Sequence, residues 1–525
     1  MAFITWASVY KFKSLYKLTP TYTMSLKVYN SLSRQKEIFT PINAPYVGMY
    51  VCGPTVSGES HLGHARPFIS FDVIYRYLMH LGYKVRYVRN ITDAGHFEEE
   101  GREATDKISE KAVLEKLEPM ELVQKYTNLY HWAMSKFNNL APNIEPTATG
   151  HIVEQIEMIK KIIADGYAYV ANGSVYFDVE KYNTDFSKKG MPYGMLSGRN
   201  IEDQQDTTRE LDNQEEKRNR NDFALWKSAP VEHIMRWQSP WGEGFPGWHI
   251  ECSAMSTKYL GSEFDIHGGG MDLQFPHHEC EIAQSTVCNH KSPAKYWLHN
   301  NMITIQGKKM GKSYNNVIKL TELFSGDSPI LSQPYSPMTI RFFILQSHYR
   351  GTLDFSNEAL QASEKAFKRL WEAHEWFAKQ VFENNTAAAT DTGLDEKVNQ
   401  LVAEFSEFMN DDFNSAKVIA NIFELVPIIN SIKDKYIQAA ALSSTTLAHM
   451  QTELKVFIES IFGLINERPS DEGQLDGVLQ LLMDIRKDAK SRKDFLTSDK
   501  IRNELAGLGI QLKDEKEGGT SYTIV

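Results

Sequence analysis

Two histidines in the segment HLGH, His61 and His64, have a spacing that suits phosphate chemistry. If a helix begins there, residues three apart fall on one helix face, beside backbone N–H groups that have no partner within the first turn. These N–H groups and the helix dipole favour anions, and imidazoles can donate to phosphate oxygens as charge builds in a transition state. Two surface histidines near a turn are the alternative interpretation, and the four letters alone favour it.

A second segment, GKKMGKSYNN, places Lys308, Lys309 and Lys312 in a loop that contains glycine. A mobile loop of this kind can bring cations to a polyphosphate and neutralise a departing pyrophosphate. Taken alone, the segment favours an ordinary solvated basic loop. Because it occurs together with HLGH, the two segments predict a site for nucleotide phosphates.

A third group of residues can bind a metal ion. Cys252 lies in PGWHIECSAMS, and HGGGMDLQFPHHECE supplies His277 and Glu281, whose spacing of four places them on one helix face. Thiolate, imidazole and carboxylate are zinc ligands, and the distant Cys52 would complete a set of four. Without a metal, HxxxE is an ordinary pair on a helix face. Three neighbouring residues compete as ligands: His278, Glu279 and Cys280.

These residues need a fold that brings distant segments together. Apolar residues 46–52 predict a buried strand, residues 62–78 have the apolar spacing of a helix, and residues 83–91 alternate as a strand does. A β-α-β unit of this kind implies a parallel sheet, which binds ligands beyond the carboxyl ends of its strands. We therefore expect the chemistry near residues 52–64.

The rest of the chain divides by composition and periodicity. We predict an α/β protein in which a Rossmann-like parallel-sheet catalytic domain is split by an insertion and followed by a helical bundle and a small C-terminal domain. The predicted boundaries are 1–23 for an N-terminal extension, 24–143 and 223–320 for the two catalytic halves, 144–222 for the insertion, 321–468 for the helical linker and bundle, and 469–525 for the C-terminal domain.

Composition limits the class of protein. Hydrophobic residues make up 42% and charged residues 24%, as in ordinary globular chains. Four cysteines are too few for a disulfide framework, which favours a reducing compartment. The net charge of -10 argues against a general basic coat for nucleic acid, but it leaves room for local basic patches.

Membrane and targeting segments are not indicated. The most apolar stretch, residues 418–432, is interrupted by Asn421, Glu424 and Pro427, so we expect no membrane span. The first 23 residues contain three lysines and no acid, which would fit a targeting segment. They lack arginine and a cleavage pattern of small residues, so a dispensable extension ahead of Met24 is the favoured interpretation.

On these motifs the chain from Met24 onward resembles the cysteinyl-tRNA synthetases, a family of class I aminoacyl-tRNA synthetases. HLGH resembles the HIGH signature of the family, and residues 309–313 resemble its KMSKS signature, with Gly311 where serine is usual. The resemblance implies a cytoplasmic, monomeric ligase. It would use Mg-ATP to convert L-cysteine to cysteinyl-adenylate and then transfer the cysteinyl group to the 3′ end of tRNA(Cys).

The resemblance also implies a role for each matching residue. One zinc ion, which would select the substrate thiolate, would be held by Cys52, Cys252, His277 and Glu281. The catalytic residues would be His61, His64, Lys309 and Lys312. The contacts to ATP would be His61, His64, Gly268, Gly269, Gly270 and Lys312. The contacts to cysteine would be Cys52, Thr92, Trp248 and Asp272.

For tRNA, the resemblance implies that the helical region and the C-terminal domain bind the anticodon part. Lys490 and Arg492 would meet phosphates. Asp499 and Asp514 would accept hydrogen bonds from base amino groups, and Tyr522 would stack on a base. An ordinary charged helix is the alternative. The enlarged segments at 94–107 and 200–220 have no predicted role, and the C-terminus GGTSYTIV lacks a basic tail.

Two other functions share part of this pattern. A related ligase could activate cysteine in the same way and transfer it to a small amino sugar, but the long chain after Leu320, with its segment DDFNS, favours tRNA as the acceptor. A zinc-stabilised RNA-binding module is the second alternative. The joint presence of HLGH and KMGKS argues against it.

Overall fold

The computed structural model describes the chain at residues 25–95, 108, 111–112, 117–199, 216–230, 233–311, 314, 316–382, 389–467, 471–514 and 520–524. The chain divides into two units, Met1–Ile465 and Asn466–Val525. This division falls close to the predicted start of the C-terminal domain at residue 469. The extension predicted at 1–23 lies outside the described residues.

Strands are described in both units. In chain order they are β1 Lys27–Asn30, β2 Gln35–Ile38, β3 Tyr46–Val51, β4 Lys84–Arg89, β5 Ala168–Ala171, β6 Ser174–Phe177, β7 Phe223–Ser228, β8 Trp237–Ser239, β9 Gly242–Pro246, β10 Phe264–Gly270, β11 Ala294–Asn300, β12 Ile303–Ile305, β13 Lys308–Lys309, β14 Leu353–Phe355, β15 Ile510–Asp514 and β16 Thr520–Ile524.

Helices separate most of these strands and make up most of the chain after residue 320. In chain order they are α1 Leu62–His80, α2 Pro119–Lys136, α3 Ile152–Ala164, α4 Val179–Phe186, α5 Trp248–Leu260, α6 Glu279–Asn289, α7 Leu320–Ser325, α8 Pro337–Leu345, α9 Asn357–Ala378, α10 Thr392–Asn410, α11 Ser415–Lys433, α12 Ser444–Lys455, α13 Asp471–Ser491 and α14 Phe495–Gly507.

A parallel sheet of four strands, in the order β11, β10, β3 and β4, is the Rossmann-like part of the larger unit. β3, α1 and β4 follow one another along the chain, which confirms the predicted β-α-β unit. Residues 62–78 of α1 are mostly buried, and the helix packs on the sheet. The continuous apolar run of β3 is therefore explained, because a strand covered on both faces has no polar side.

An antiparallel sheet, in the order β5, β6, β7, β9 and β8, interrupts the parallel sheet between β4 and β10. It has a core of its own, in which Val175, Phe177 and Trp226 are fully buried. Because β6 pairs with β7, the predicted boundary at residue 222 falls between two hydrogen-bonded strands. We therefore move the end of the insertion to Pro246, the last residue of β9.

The helical part of the larger unit contains one long apolar helix. Within the described residues, α11 alone is long and apolar enough to cross a membrane, judged by length and composition only. Its residues Val418, Ile422 and Leu425 are at most 1% exposed, and the helix packs on α9 and α10. The predicted helical region is interrupted by β14, which pairs in parallel with β12.

The smaller unit consists of α13, α14 and the antiparallel hairpin of β15 and β16. Leu479, Leu505 and Ile510 are buried and form its core, with Leu482 and Tyr522 packed against them.

A buried ion cluster connects α1 to the helical part of the larger unit. Asp72 is 2% exposed, and its carboxylate accepts hydrogen bonds from Nε of Arg76 at 2.8 Å and from the guanidinium of Arg341 in α8. Arg341 also donates to the carbonyl oxygens of Phe137 and Phe462 at 2.8 and 2.6 Å. Burial alone would raise the pKa of Asp72, but the two guanidinium groups lower it below its ordinary value.

Replacing Asp72 by asparagine keeps the side-chain shape and removes the charge that both buried guanidinium groups face. We expect Asp72→Asn to lose about 3–5 kcal/mol of unfolding free energy, because an unpaired buried charge remains. Urea unfolding of the full chain, followed by tryptophan fluorescence, measures this loss. Glu157→Gln removes an exposed pair with Lys160 and should be nearly neutral. Equal losses in the two variants would contradict the role of the cluster.

Candidate active site and metal centre

Four side chains with metal-binding donors meet where β3 and β10 end. Cys52 directly follows β3, and its N–H donates to the carbonyl oxygen of Gly268 in β10 at 3.1 Å. Cys252 lies on α5, whereas His277 lies on the turn that leads into α6, and Glu281 lies on α6 itself. All four are buried, and their donor atoms lie within 4.8 Å of one another. The structure thus brings together the four residues that the sequence puts forward.

The distances in this group leave room for one ion. Sγ of Cys52 lies 3.8 Å from Sγ of Cys252 and 3.7 Å from Oε1 of Glu281. Nε2 of His277 lies 3.2 Å from the same carboxylate oxygen. Donors around a tetrahedral zinc ion, with bonds of about 2.0–2.3 Å, are about 3.3–3.8 Å apart. Two thiols, an imidazole and a carboxylate at these separations fit zinc.

A second group of four donors shares two of these side chains. Cys52 and Glu281 also lie within 4.8 Å of donor atoms of His267 and His278. Nε2 of His278 is 3.3 Å from Sγ of Cys52, and Nε2 of His267 is 2.9 Å from Oε2 of Glu281. Sequence reasoning names His278 as an alternative ligand but misses His267. The available signal for His267 is its place in the middle of a buried strand, directly before three glycines.

The other two alternatives, Glu279 and Cys280, have different partners. The carboxylate of Glu279 accepts hydrogen bonds from the backbone N–H groups of Ser197 at 3.0 Å and Leu196 at 3.4 Å. Sγ of Cys280 lies 3.3 Å from the hydroxyl of Tyr193. Both side chains therefore hold the insertion against α6 and do not belong to either donor group.

Opposite charges surround the predicted metal position. Burial alone would lower the pKa of His277, but contacts with Cys252 and Glu281 raise it to about 10. Burial would raise the pKa of Glu281, but His267 and His277 lower it to about 2. Burial would also raise the pKa of the Cys252 thiol, but hydrogen bonds with Cys52 and His277 lower it. Glu281 and Cys252 are thus favoured in the ionised forms that bind a cation, whereas burial raises the pKa of the Cys52 thiol well above its ordinary value; Cys52 and His277 would release their protons when a metal binds.

Polar and aromatic side chains border the metal-binding group. The hydroxyl of Thr92 accepts a hydrogen bond from Nδ2 of Asn90 at 3.1 Å, and Oδ1 of Asn90 lies 3.7 Å from Sγ of Cys252. The rings of Trp248 and His277 are 4.4 Å apart. Thr92 and Trp248, both put forward as contacts to an amino-acid substrate, therefore lie beside the donors. Asn90 was missed, although it stands two residues before Thr92 in RNITD.

The last three residues of β10 are glycines, and neighbouring side chains occupy the space that a Cβ would need. A Cβ on Gly268 would lie 2.3 Å from the ring of Phe71 in α1. A Cβ on Gly270 would lie 2.3 Å from Oδ1 of Asp272 on the exposed turn that follows. Gly268 is therefore required by close packing of α1 on the sheet.

The HLGH segment forms the start of α1, which confirms the predicted helix boundary. His61 caps the helix, and its backbone N–H donates to Nδ1 of His64 at 3.2 Å. The two rings stack with centroids 3.8 Å apart. Burial, with a smaller contribution from His61, lowers the pKa of His64 to about 3. Because Nδ1 accepts a hydrogen bond, the proton of the neutral ring lies on Nε2.

The KMGKS loop contacts the HLGH segment. Exposed Lys309 ends β13, and a Cβ on Gly63 would lie only 2.7 Å from Cε of Met310. The chain beyond the loop is bonded to the start of α1: the N–H of Leu62 donates to the carbonyl oxygen of Ile318 at 3.0 Å. The two segments that the sequence singles out are thus neighbours. Lys312 lies outside the described residues.

The fold and the site match known proteins. A sequence model of the tRNA synthetases class I (C) catalytic domain matches residues 38–365, and one of the DALR domain matches residues 404–466. The chain is 57% identical over 498 residues to the cysteine–tRNA ligase of Phocaeicola vulgatus, an alignment that covers 94% of this chain and 98% of that protein. It is 55% identical over 493 residues to that of Cytophaga hutchinsonii, again covering 94% and 98%. The chain belongs to the cysteine–tRNA ligase family.

A solved class I synthetase shares the fold of this cysteine–tRNA ligase family member. The methionyl-tRNA synthetase of Mycobacterium tuberculosis in complex with methionyl-adenylate aligns with a TM-score of 0.55 and 12% sequence identity. The alignment covers 79% of this chain and 89% of that one. At this identity the likeness shows the fold alone. It supports the prediction of a Rossmann-like catalytic part followed by helices.

The smaller unit contains the residues for which the resemblance to cysteine–tRNA ligases implies contacts with tRNA. Lys490 lies in the last turn of α13, Arg492 follows that helix, and both are exposed. Asp499 is exposed on α14, and Tyr522 lies opposite Leu512 in the hairpin. Asp514 ends β15, but its side chain lies outside the described residues.

The neutral state of His64 can be measured by its titration. Because the pKa of about 3 in the folded chain is below the ordinary 6.5, His64 should stay neutral from pH 5 to 8. Below about pH 6.5 only the unfolded chain takes up this proton, so stability should fall as the pH drops towards 3. NMR of histidine-labelled protein, assigned with His64→Asn, follows the ring. The urea-unfolded chain is the control, and a folded-state midpoint between pH 6 and 7 would contradict the prediction.

Proposed function

We propose that this cysteine–tRNA ligase activates L-cysteine with Mg-ATP and transfers it to the 3′ end of tRNA(Cys). In the first step the cysteine carboxylate attacks the α-phosphate, and cysteinyl-adenylate and pyrophosphate form. In the second step a hydroxyl of the terminal ribose attacks the carbonyl carbon, and AMP leaves. The contact between HLGH and the loop of residues 309–311 carries the proposal. Both segments come after strands of the parallel sheet, and the Cys/His/Glu donors lie where strands of that sheet end.

His61, His64, Lys309 and Lys312 are the proposed catalytic residues. Adenylate formation needs positioning and stabilisation of charge more than a protein nucleophile. With Nδ1 of His64 occupied by a backbone N–H, its Nε2–H is the group that can donate to a phosphate oxygen. The N-terminus of α1 adds amides that favour anions. The lysines supply positive charge from the loop as pyrophosphate departs.

Cys52, Cys252, His277 and Glu281 are the proposed holders of one zinc ion per chain. Their separations fit tetrahedral coordination, and their softness suits zinc. The metal, when bound, supplies a centre to which a thiolate binds much more strongly than an alcohol, and this difference separates cysteine from serine. An apolar pocket alone would distinguish such near-isosteres by only about a hundredfold.

Thr92, Trp248 and Asp272 are the proposed contacts to the remainder of cysteine, together with Cys52. Thr92 and Trp248 border the donor group, which supports them more directly than Asp272 on its exposed turn. For ATP we propose the backbone of residues 268–270 with His61, His64 and Lys312. A Cβ on any of these glycines would collide with a neighbour, which is Phe71, His278 or Asp272 in turn, so a larger residue there would disturb the proposed adenosine site.

The proposed partner is tRNA(Cys), bound by the helical part and the smaller unit. The match to the DALR domain at residues 404–466 and the cysteine–tRNA ligase relatives support this partner. In the smaller unit, the proposed contacts are Lys490, Arg492, Asp499, Asp514 and Tyr522. We further propose that the ligase acts as a monomer in the cytoplasm.

Single substitutions can decide which of the two donor groups holds zinc. His277→Ala removes a ligand from the proposed group only, whereas His278→Ala removes one from the alternative group only. We expect the His277 variant to lose more than about tenfold in zinc affinity and the His278 variant to keep one zinc ion per chain. Metal analysis by mass spectrometry after dialysis against a weak chelator measures both. The reverse result would transfer the site to His267 and His278.

Selection of cysteine through the metal predicts a specific kinetic defect. Cys252→Ser should reduce cysteine-dependent ATP–pyrophosphate exchange by more than about 100-fold, because it weakens the metal site. Affinity for ATP, measured by calorimetry, should change little. The parent protein should show exchange with cysteine and none with serine, and chelation should abolish it. Equal loss of ATP binding and cysteine activation in the variant would contradict this role.

Cys288→Ser is the matched control for that experiment. Cys288 is also a buried cysteine, but it lies on α6 outside both donor groups. Its exchange activity and zinc content should equal those of the parent protein. A similar loss in Cys288→Ser would show that the effect comes from disturbed packing.

A further inference from the structure

We propose that Asn316 is a positioning residue that clamps the loop of residues 309–311 for adenylate formation. Asn316 acts through the loop and does not itself touch the substrate. The inference therefore rests on the function proposed above for Lys309.

Asn316 binds both ends of a short turn. Its Oδ1 accepts a hydrogen bond from the N–H of Gly311 at 2.8 Å, and its Nδ2 donates to the carbonyl oxygen of Lys309 at 3.1 Å. One planar amide thus holds two backbone groups on either side of Met310. The N–H of Tyr314 also donates to the carbonyl oxygen of Gly311 at 3.0 Å. Together these bonds fix the direction in which residue 310 faces.

Both flanks of the loop are held by regular structure. On one side, β13 pairs with β12. On the other side, the carbonyl oxygen of Ile318 accepts from Leu62 at 3.0 Å, and the N–H of Leu320 donates to the carbonyl oxygen of Ser60 at 2.9 Å. The clamp therefore restrains a loop whose two ends are already held, one by β12 and the other by the start of α1.

The clamp also compensates for the glycine in this signature. Glycine gains more backbone freedom than any other residue when a loop opens. In the structure Met310 lies against Gly63, where a Cβ would come within 2.7 Å of its Cε. Two hydrogen bonds from one side chain limit the freedom of Gly311 and keep Met310 in that contact. Asn316 is half-buried and is not among the core residues, so its removal should leave global stability unchanged.

Asn316→Ala and Asn316→Asp test the clamp in the full-length, zinc-loaded protein. Alanine removes both hydrogen bonds, whereas aspartate keeps the acceptor for Gly311 and loses the donor to Lys309. We expect the kcat of cysteine-dependent ATP–pyrophosphate exchange to fall about tenfold or more with alanine and less with aspartate. KM for cysteine and zinc content should stay within about twofold of the parent values, because the metal group is untouched.

Limited proteolysis measures the loop without using activity. Trypsin cleaves after exposed lysines in mobile segments, and Lys309 is exposed. Cleavage after Lys309 should be several-fold faster in Asn316→Ala than in the parent protein, at unchanged Tm. An equal cleavage rate, or a KM for cysteine that rises in step with the loss of kcat, would overturn the clamp.

Asn357 offers a matched control, because its amide makes the same pattern of bonds elsewhere. Its Oδ1 accepts from the N–H of Ser332 at 2.9 Å, and its Nδ2 donates to the carbonyl oxygen of Ile330. Asn357→Ala should leave exchange activity unchanged, and an equal loss there would overturn a specific role for Asn316.

Lys309→Ala separates failure of the clamp from failure of the function proposed for the loop. If Lys309→Ala abolishes exchange while Asn316→Ala is fully active, the clamp is wrong and the proposed role of Lys309 stands. If Lys309→Ala is fully active, the proposed role of the loop fails.

Discussion

The pairing of β3 with β10 is the constraint on which the whole site depends. Met49 lies opposite Ile266, so segments that are distant in the chain end at one edge of the sheet. The buried carboxylate of Asp265 accepts hydrogen bonds from the backbone N–H of Ile42 at 2.6 Å and of Gly48 at 2.7 Å. These bonds fix the register at the amino end. A slip of one residue would turn the side chains of β3 to the opposite face and remove Cys52 from the other donors.

Helix α1 connects this register to His61 and His64, the proposed phosphate-binding residues. It approaches β10 closely because Gly268 has no side chain and Phe71 fills the space. At the same time Asp72 ties the helix to Arg341 in the helical part of the unit. The start of α1, and with it His61, is thereby fixed relative to both the sheet and the helices. The proposed phosphate site and the proposed metal site share one scaffold for this reason.

Sequence reasoning succeeded where periodicity and spacing carry the information. The buried run of β3, the helical spacing of α1 and the spacing of His277 and Glu281 are local patterns. Cys52 is distant in the chain and was put forward through the family resemblance, and the structure brings it to the other three donors. The end of the insertion is harder to read from the sequence: β7, β8 and β9 pair with the strands of the insertion, but they are short and rich in Trp and Gly like the segment that follows. His267, Asn90 and Asn316 were missed since their importance depends on which backbone or side chain lies opposite, which one sequence does not reveal.

Two buried histidines of the site have pKa values shifted in opposite directions. His277 faces a thiol and a carboxylate that raise its pKa to about 10, whereas burial beside His61 lowers that of His64 to about 3. His64 therefore carries no full positive charge at neutral pH, and the amides of α1 provide only partial charges. In the proposed reaction, full positive charge therefore comes from Mg²⁺ and from the lysines of the loop. If the lysines act in this way, the position of the loop sets their distance from the phosphates, and restraint of the loop by Asn316 bears on the first step.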